Sequence, residues 1–441
     1  MCESQPATVP ARTKQAGDAR PSQWDWVERT VWTERMLEAL ETGVKGGVWF
    51  SLIDKVHRPQ VLLQAWLQVR GKGRAVGSDH QSLKQFEEQL EINLRKLEEE
   101  LRTGSYRPRP IRRAYIDKPG SKAKRPLGIP AVRDKVVQTA LKMVIEPIFE
   151  REFMDTSFGF RPGIGCKDAL RNVEGLLKAG YSWVVDADLK SYFETIGHER
   201  LMAELRQRIA DSRVLDLIES FLKQQILEDL RLWTPETGSP QGAVISPLLS
   251  NIYLHEVDKA MKRAGYEMVR YADDFVILCR SPSEAEAALL RVSELIHERG
   301  LSLHADKTSL VNTQQSGASF DFLGYHFEKG TRWPRKKSLK KFKDTIRRKT
   351  PRSNGRSLAE TIEDINKTSE GWFEYFKHSH WTTFKPLDGW IRRRLRSILR
   401  RYRKAKGISR GRDHVRWPNQ YFQALGYFSL YDAHRALLQS S

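Results

Sequence analysis

The run Met268-Val-Arg-Tyr-Ala-Asp-Asp-Phe-Val-Ile-Leu-Cys279 sets two β-rich halves around a central Ala272-Asp273-Asp274. Branched and aromatic residues favour strands, and a short polar break between two such runs reads as a tight hairpin turn. Upstream, residues 181–193 read YSWVVDADLKSYF and alternate in the strand manner. Trp183, Val185, Ala187 and Leu189 face one way; Val184, Asp186 and Asp188 face the other. Two adjacent aspartates at a hairpin tip, with a third on a neighbouring strand, would form a cluster of hard oxygen donors. Phosphoryl transfer to a growing strand needs such a cluster, because it uses two Mg²⁺ ions about 3.5–4 Å apart. Asp188, Asp273 and Asp274 meet that description, and Mn²⁺ could substitute. Aspartate also suits turns in its own right. The metal reading gains its weight from the flanking apolar strands, since carboxylates buried together repel without a cation. Asp186 shares the face of Asp188 and reads as supporting or structural.

The surrounding composition fits a polyanionic partner. The 441 residues hold 75 Lys and Arg against 55 Asp and Glu, a formal charge of +20. Such an excess draws nucleic acid first and an anionic membrane second. No apolar run approaches the roughly 18 residues that span a bilayer. Residues Met1 to Arg20 are polar and Pro/Ala-rich, which excludes a signal peptide. Nucleic acid is therefore favoured and a membrane is not expected. The three cysteines, Cys2, Cys166 and Cys279, include no CxxC pair. That excludes a disulfide framework and a Cys-based zinc finger, and it fits a reducing cytosol.

Working outward, residues 1–25 read as a flexible leader and 26–105 as a helical extension. Leu83, Phe86, Leu90, Leu94, Leu97 and Leu101 recur at helical spacing on one face, which predicts core packing. Residues 104–130 are Pro/Gly/basic loop and short-strand text, and Val132–Phe153 is helical again. The chain from 106 to 330 forms the middle unit. Beyond a boundary near 330, a strongly basic segment over 332–349 leads into predicted helices at 357–378 and 386–404. The second of these sets Ile391, Leu395, Ile398 and Tyr402 on one face. Residues 331–405 form a helical unit, and 406–441 a closing segment. Basic residues interleaved with Trp372, Phe373, Tyr375, Phe376, Trp381 and Trp390 suit RNA, whose phosphates meet cations and whose bases stack.

Several blocks occur in a fixed order. They are Pro108-Arg-Pro-Ile-Arg-Arg-Ala-Tyr-Ile-Asp-Lys-Pro119, Arg125-Pro-Leu-Gly-Ile-Pro130, Phe158-Gly-Phe-Arg-Pro162 and Asp188-Leu-Lys-Ser-Tyr-Phe193. Gly238-Ser-Pro-Gln-Gly242, Ile245-Ser-Pro-Leu-Leu-Ser-Asn251, Arg270-Tyr-Ala-Asp-Asp274, the Lys307 block and Phe322-Leu-Gly-Tyr325 follow. From about 107 to 327 the chain resembles the polymerase region of bacterial group II intron-encoded reverse transcriptases. The resemblance implies an α+β, right-hand polymerase fold: fingers, an antiparallel-sheet palm with helices, and an α-helical thumb. It implies RNA-templated addition of deoxynucleotides to a primer. Asp188, Asp273 and Asp274 become the catalytic metal ligands. Lys118 and Arg125 would clamp the incoming dNTP; Leu189, Tyr192, Gln241, Gly242 and Lys307 would complete its site, with Tyr192 beneath the sugar as a steric gate. Lys307 has a solvent-facing alternative. Glu194, Ala243 and Asp117 stand where the family usually has Asp, Gly and Pro.

Ile365-Asn-Lys-Thr-Ser-Glu-Gly-Trp-Phe-Glu-Tyr-Phe376 and Leu387-Asp-Gly-Trp-Ile-Arg-Arg-Arg394 resemble the maturase-specific domain of the same family. This implies binding of the group II intron RNA to assist splicing. Arg347, Arg348, Arg392, Arg393, Arg394, Arg396, Arg400 and Arg401 are the candidate RNA contacts. The expected partners are intron RNA, a DNA target or primer and dNTPs, in a bacterial cytosol near the nucleoid. No HNH endonuclease is expected at the C-terminus, so the primer would come from elsewhere. Two further readings stay open: a polymerase co-opted for host defence or repair, and a splicing factor whose polymerase is inactive. Oligomeric state is not legible.

Overall fold

A computed structural model describes residues 24–71, 75–117, 124–353, 355–405 and 411–439. The expected leader falls almost wholly outside them, as does Lys118. Among the described residues eleven strands run in chain order: β1 Ile111–Asp117, β2 Lys124–Ile129, β3 Trp183–Asp188, β4 Ile226–Glu228, β5 Arg231–Trp233, β6 Glu267–Tyr271, β7 Asp274–Cys279, β8 Ser309–Asn312, β9 Ser319–Phe322, β10 Tyr325–Glu328 and β11 Thr331–Pro334. They form three sheets, ordered β2-β1-β4-β5, β6-β7-β3-β8 and β11-β10-β9. With the helices around them they make a mixed α/β architecture.

The β6-β7-β3-β8 sheet is antiparallel throughout and is covered on both faces. Val185, Ala187, Phe275, Ile277 and Cys279 enter the main core. Val184, Val269, Val276 and Leu278 enter a second core with Phe320, Phe322, Tyr325 and Phe327. Burial on both sides is why Phe275–Cys279 is an unbroken apolar run. The main core is closed by Val132–Glu150, a helix buried on nearly every side, and by Ser246–Arg263. Trp32 locks the N-terminal segment to it by donating its indole N–H to the Met143 carbonyl at 3.1 Å. Asp211 caps two helices at once. It accepts from the backbone N–H groups of Arg213 and Val214, and from those of Leu52 and Ile53.

The single apolar face expected over 83–101 is divided. Leu83–Glu88 and Leu90–Thr103 are separate helices, broken at Gln89, whose φ of −123° and ψ of 34° are not helical. Phe86, Leu97 and Leu101 are buried, while Leu83, Leu90 and Leu94 pack only partly.

Residue 330 lies in the turn of the β10-β11 hairpin, where Glu328 pairs with Thr331. The helices Lys336–Lys349, Leu358–Phe376 and Phe384–Tyr402 gather around a third core. Phe376 reaches back into the core of β9 and β10. The closing segment belongs to the helical unit rather than standing apart, because Trp417, Phe422, Tyr427 and Leu430 fill the same core. Buried Asp388 stitches it down, accepting from the Tyr427 hydroxyl at 2.7 Å, the Ser429 hydroxyl at 3.0 Å and the N–H groups of Leu430 and Tyr431. Ile391, Leu395 and Ile398 are buried as the spacing predicts, but Tyr402 is exposed and donates to the Arg356 carbonyl.

Candidate active site

Tyr271 pairs with Asp274, leaving Ala272 and Asp273 as a two-residue hairpin loop. Asp188, the last residue of β3, stands directly opposite Asp274 in the register. The Leu189 N–H reaches the Asp273 carbonyl at 3.4 Å. One edge of the sheet therefore gathers the three carboxylates predicted from sequence. Ala272 holds a φ of +59°, a conformation that costs a residue with a Cβ roughly 1–2 kcal/mol.

Two features that the sequence does not announce hold that turn. Arg270 is buried beneath it and spends its guanidinium on Asp258, on the Ser157 hydroxyl at 2.7 Å, on the Asn251 side-chain oxygen at 3.1 Å and on the Ala272 carbonyl at 3.0 Å. Gly159 presses against the turn from outside: a Cβ there would lie 2.3 Å from the Ala272 nitrogen. Asn251 also donates to the Gly159 carbonyl at 2.7 Å. The available signal was an arginine inside an apolar strand.

The carboxylates at this end of the sheet crowd one another. Burial, then Asp186, Asp188 and Asp273, push the Asp274 carboxyl up to about 7. Asp273 is raised by burial and by Asp188, an effect that Arg125 and Lys307 oppose. Asp186 is pushed up to about 7 by burial, with Asp321 and Asp188 adding to it. The Lys307 ammonium forms an ion pair with Asp188. Among the described residues no three Asp, Glu, His or Cys side chains stand close enough to hold a metal ion as they are. The donors are nevertheless hard oxygens that repel one another, and a lysine ammonium lies against one of them. That chemistry fits a hard divalent cation once Lys307 gives way.

The nucleotide candidates divide. Arg125 is exposed on β2 and acts electrostatically on Asp273. Gln241 and Gly242 sit in a loop docked on β2: the Gly128 N–H donates to the Gln241 carbonyl at 2.7 Å. Gly242 has a φ of +108°, and a Cβ there would come within 2.6 Å of the Gly128 carbonyl. The Leu189 side chain is buried in the main core, so only its backbone faces Asp273. Tyr192 is also buried, with its hydroxyl donating to the Ser250 carbonyl at 2.7 Å. Its ring is core packing, which removes it as an exposed gate. Phe193 beside it is half-buried, and its carbonyl accepts from the Ser239 N–H at 2.7 Å, in the loop that carries Gln241.

The arginines expected to meet RNA divide as well. Arg347, Arg348, Arg393 and Arg401 are exposed, and Arg392 partly so. Arg396 is turned inward and donates to the Trp417 carbonyl and the Asn419 side chain, each at 2.9 Å. Arg394 caps the end of Lys336–Lys349 through Thr350 and Arg347. Arg400 pairs with Asp413 at 2.9 Å.

Residues 116–327 match the family model described as reverse transcriptase (RNA-dependent DNA polymerase), and residues 339–417 match the group II intron maturase-specific domain. The first match spans all three candidate carboxylates. Protein YkfC of Escherichia coli K12 is 34% identical over 315 residues, covering 62% of this chain and 82% of that relative. The group II intron-encoded protein LtrA of Lactococcus lactis is 42% identical over 169 residues, 38% of this chain and 28% of LtrA. A putative COX1/OXI3 intron 1 protein of Saccharomyces cerevisiae is 27% identical over 380 residues, 72% of this chain and 44% of its own length. The chain belongs to the family of group II intron-encoded reverse transcriptases and maturases.

Proposed function

We propose that this chain is an RNA-directed DNA polymerase that also binds a group II intron RNA, assists its splicing and copies it into DNA. The observation that carries the reading is the register of Asp188 opposite Asp274, with Asp273 in the adjoining loop. In this reading β1, β2, β4 and β5 belong to the fingers, the β6-β7-β3-β8 sheet is the palm and the helices after 335 are the thumb. Asp188, Asp273 and Asp274 would hold two Mg²⁺ ions, which when bound activate the primer 3′-hydroxyl and stabilise the leaving pyrophosphate.

The chain's own residues supply the rest. Lys307 neutralises Asp188 before substrate arrives and is free to meet phosphate afterwards. Arg125 brings positive charge over Asp273, where a triphosphate must lie. The Gln241-Gly242 loop, fixed to Gly128, offers backbone without a side chain beside the nascent base pair. Arg347, Arg348, Arg392, Arg393 and Arg401 form the RNA-facing surface of the thumb. Among the described residues no helix is long and apolar enough to cross a membrane.

The test is primer extension on an RNA template with Mg²⁺. Extension by the natural chain and its loss in Asp273→Asn are expected. Undiminished extension by that variant would refute the assignment. An inactive natural chain that still promotes intron splicing would favour the splicing-factor reading.

A further inference from the structure

Residues paired across antiparallel strands share a face of the sheet. In the β2-β1-β4-β5 sheet, Arg113 lies opposite Gly128, Tyr115 opposite Pro126, Ile226 opposite Trp233 and Glu228 opposite Arg231. Ile111, beside Ile226, belongs to the same face. The inner end of this face is covered: a Cβ on Gly128 would lie 2.8 Å from the Ile111 side chain and 3.3 Å from Pro240. Beyond Gly128 and Ile111 the face is open, with Tyr115 49% and Trp233 41% exposed. At the turn between β4 and β5, Asp229 and Leu230 both adopt positive φ, +45° and +67°, where Asn-Gly is usual. Leu230 is 96% exposed. Packing among the described residues does not explain such a hairpin.

The chemistry of the open end selects among occupants. The Arg113 guanidinium lies 5.3 Å over the Trp233 ring. Arg231 stands on the same face, and Glu228 is engaged by the Tyr115 hydroxyl. An aromatic ring backed by guanidinium receives an unstacked base, while neighbouring cations follow phosphate. A chain of charge +20 complements that strand. The Pro240-Gln241 loop docks on this face beside Gly128 and Ile111, and Trp233 lies in the same cross-strand row as Ile111, across Ile226, so a strand leaving Gln241 along that row reaches Trp233.

We propose that Arg113, Tyr115, Arg231 and Trp233 form a stacking platform for single-stranded RNA template just before it reaches Gln241. This rests on the polymerase reading above. The test uses full-length protein and fluorescence anisotropy at fixed salt, with a single-stranded RNA of about 12 nucleotides and a blunt RNA duplex of equal length, enough to span one single-strand site. Trp233→Ala should weaken single-strand binding about tenfold relative to duplex, the loss of roughly one stacked base. Trp233→Phe should recover most of it. Equal loss on both probes, or no loss, overturns the platform. So does loss of self-association with RNA binding intact, which would make the face a contact between copies. Failure of the polymerase reading is separable: the natural chain would show the single-strand preference and its Trp233 dependence without extending a primer.

Discussion

Arg270 and Asp258 form a wholly buried ion pair directly beneath the Tyr271–Asp274 turn. Asp258 comes from the helix Ser246–Arg263 and Arg270 from β6, so the pair fixes the carboxylate-bearing hairpin to the helix behind it. Removing one partner of a buried pair typically costs about 3–5 kcal/mol, because the other charge is left stranded. Arg270→Met should lower the melting temperature and abolish primer extension. Arg270→Lys should recover part of the stability but little activity, since one ammonium cannot serve Asp258, Ser157, Asn251 and Ala272 together. Thermal denaturation beside extension assays checks this. Near-natural activity in Arg270→Lys would show that the turn does not need the fork.

Gly159 is expected to act on the same turn by absence of bulk. A Cβ placed 2.3 Å from the Ala272 backbone nitrogen must displace one of the two segments. Gly159→Ala should reduce kcat by at least tenfold, roughly the effect of about 1.4 kcal/mol on a barrier, while circular dichroism still reports a folded chain. Unchanged turnover would mean that the loop, not the hairpin, gives way.

Sugar discrimination should reside in Phe193 rather than Tyr192. Tyr192→Phe removes one hydrogen bond to the Ser250 carbonyl, which costs about 1 kcal/mol of stability, and should leave the preference for deoxynucleotides intact. Phe193→Ala should admit ribonucleotides. Incorporation assays with matched dNTP and rNTP pools decide it; relaxed discrimination in Tyr192→Phe would return the role to the tyrosine.

Asp134 gives a stability signature that depends on pH. It is fully buried, and it accepts from the Tyr106 hydroxyl at 2.6 Å, the Arg109 N–H at 2.9 Å and the Gln224 amide at 3.2 Å. Burial nevertheless pushes its carboxyl up to about 6 from the ordinary 3.8. A carboxyl raised in the folded state favours the protonated form. Its contribution is complete below about pH 4 and declines as pH rises through 6, by up to about 3 kcal/mol. Asp134→Asn should flatten the unfolding free energy between about pH 4 and 7. An identical slope in both proteins would place the titration elsewhere.

The carboxylate hairpin was legible because its charge pattern and its fold use the same signal. Asp273 and Asp274 interrupt an apolar run, and that break both makes the turn and marks the site. Asp188 followed from period-two alternation, which the register with Asp274 repeats. Leu189 continues the Val185–Ala187 face into the main core, and Tyr192 turns inward after the bend at Ser191, whose φ is +49°. Gly159, Asn251 and Asp258 were silent because their roles are set by residues distant in sequence. Gln89 broke a leucine repeat that no glycine or proline announces.

Arg396 and Arg393 look alike in sequence, as two arginines on one basic helix, yet they should fail differently. Arg396 spends its guanidinium on the Trp417 carbonyl and Asn419 and lies over the Phe422 ring. Arg396→Ala should therefore destabilise the helical unit and detach the closing segment, measured as a lower melting temperature and faster proteolysis after 405. Arg393 and Arg401 are exposed on the same helix. Their joint replacement by alanine should leave the melting temperature within about 1 °C, as surface changes do. It should also weaken RNA binding and reduce the dependence of log K on log salt by about 0.7 for each phosphate that the variant no longer neutralises. If Arg396→Ala changes the salt slope with stability untouched, the inward arginine is the one that meets RNA and the exposed face of this helix serves another purpose.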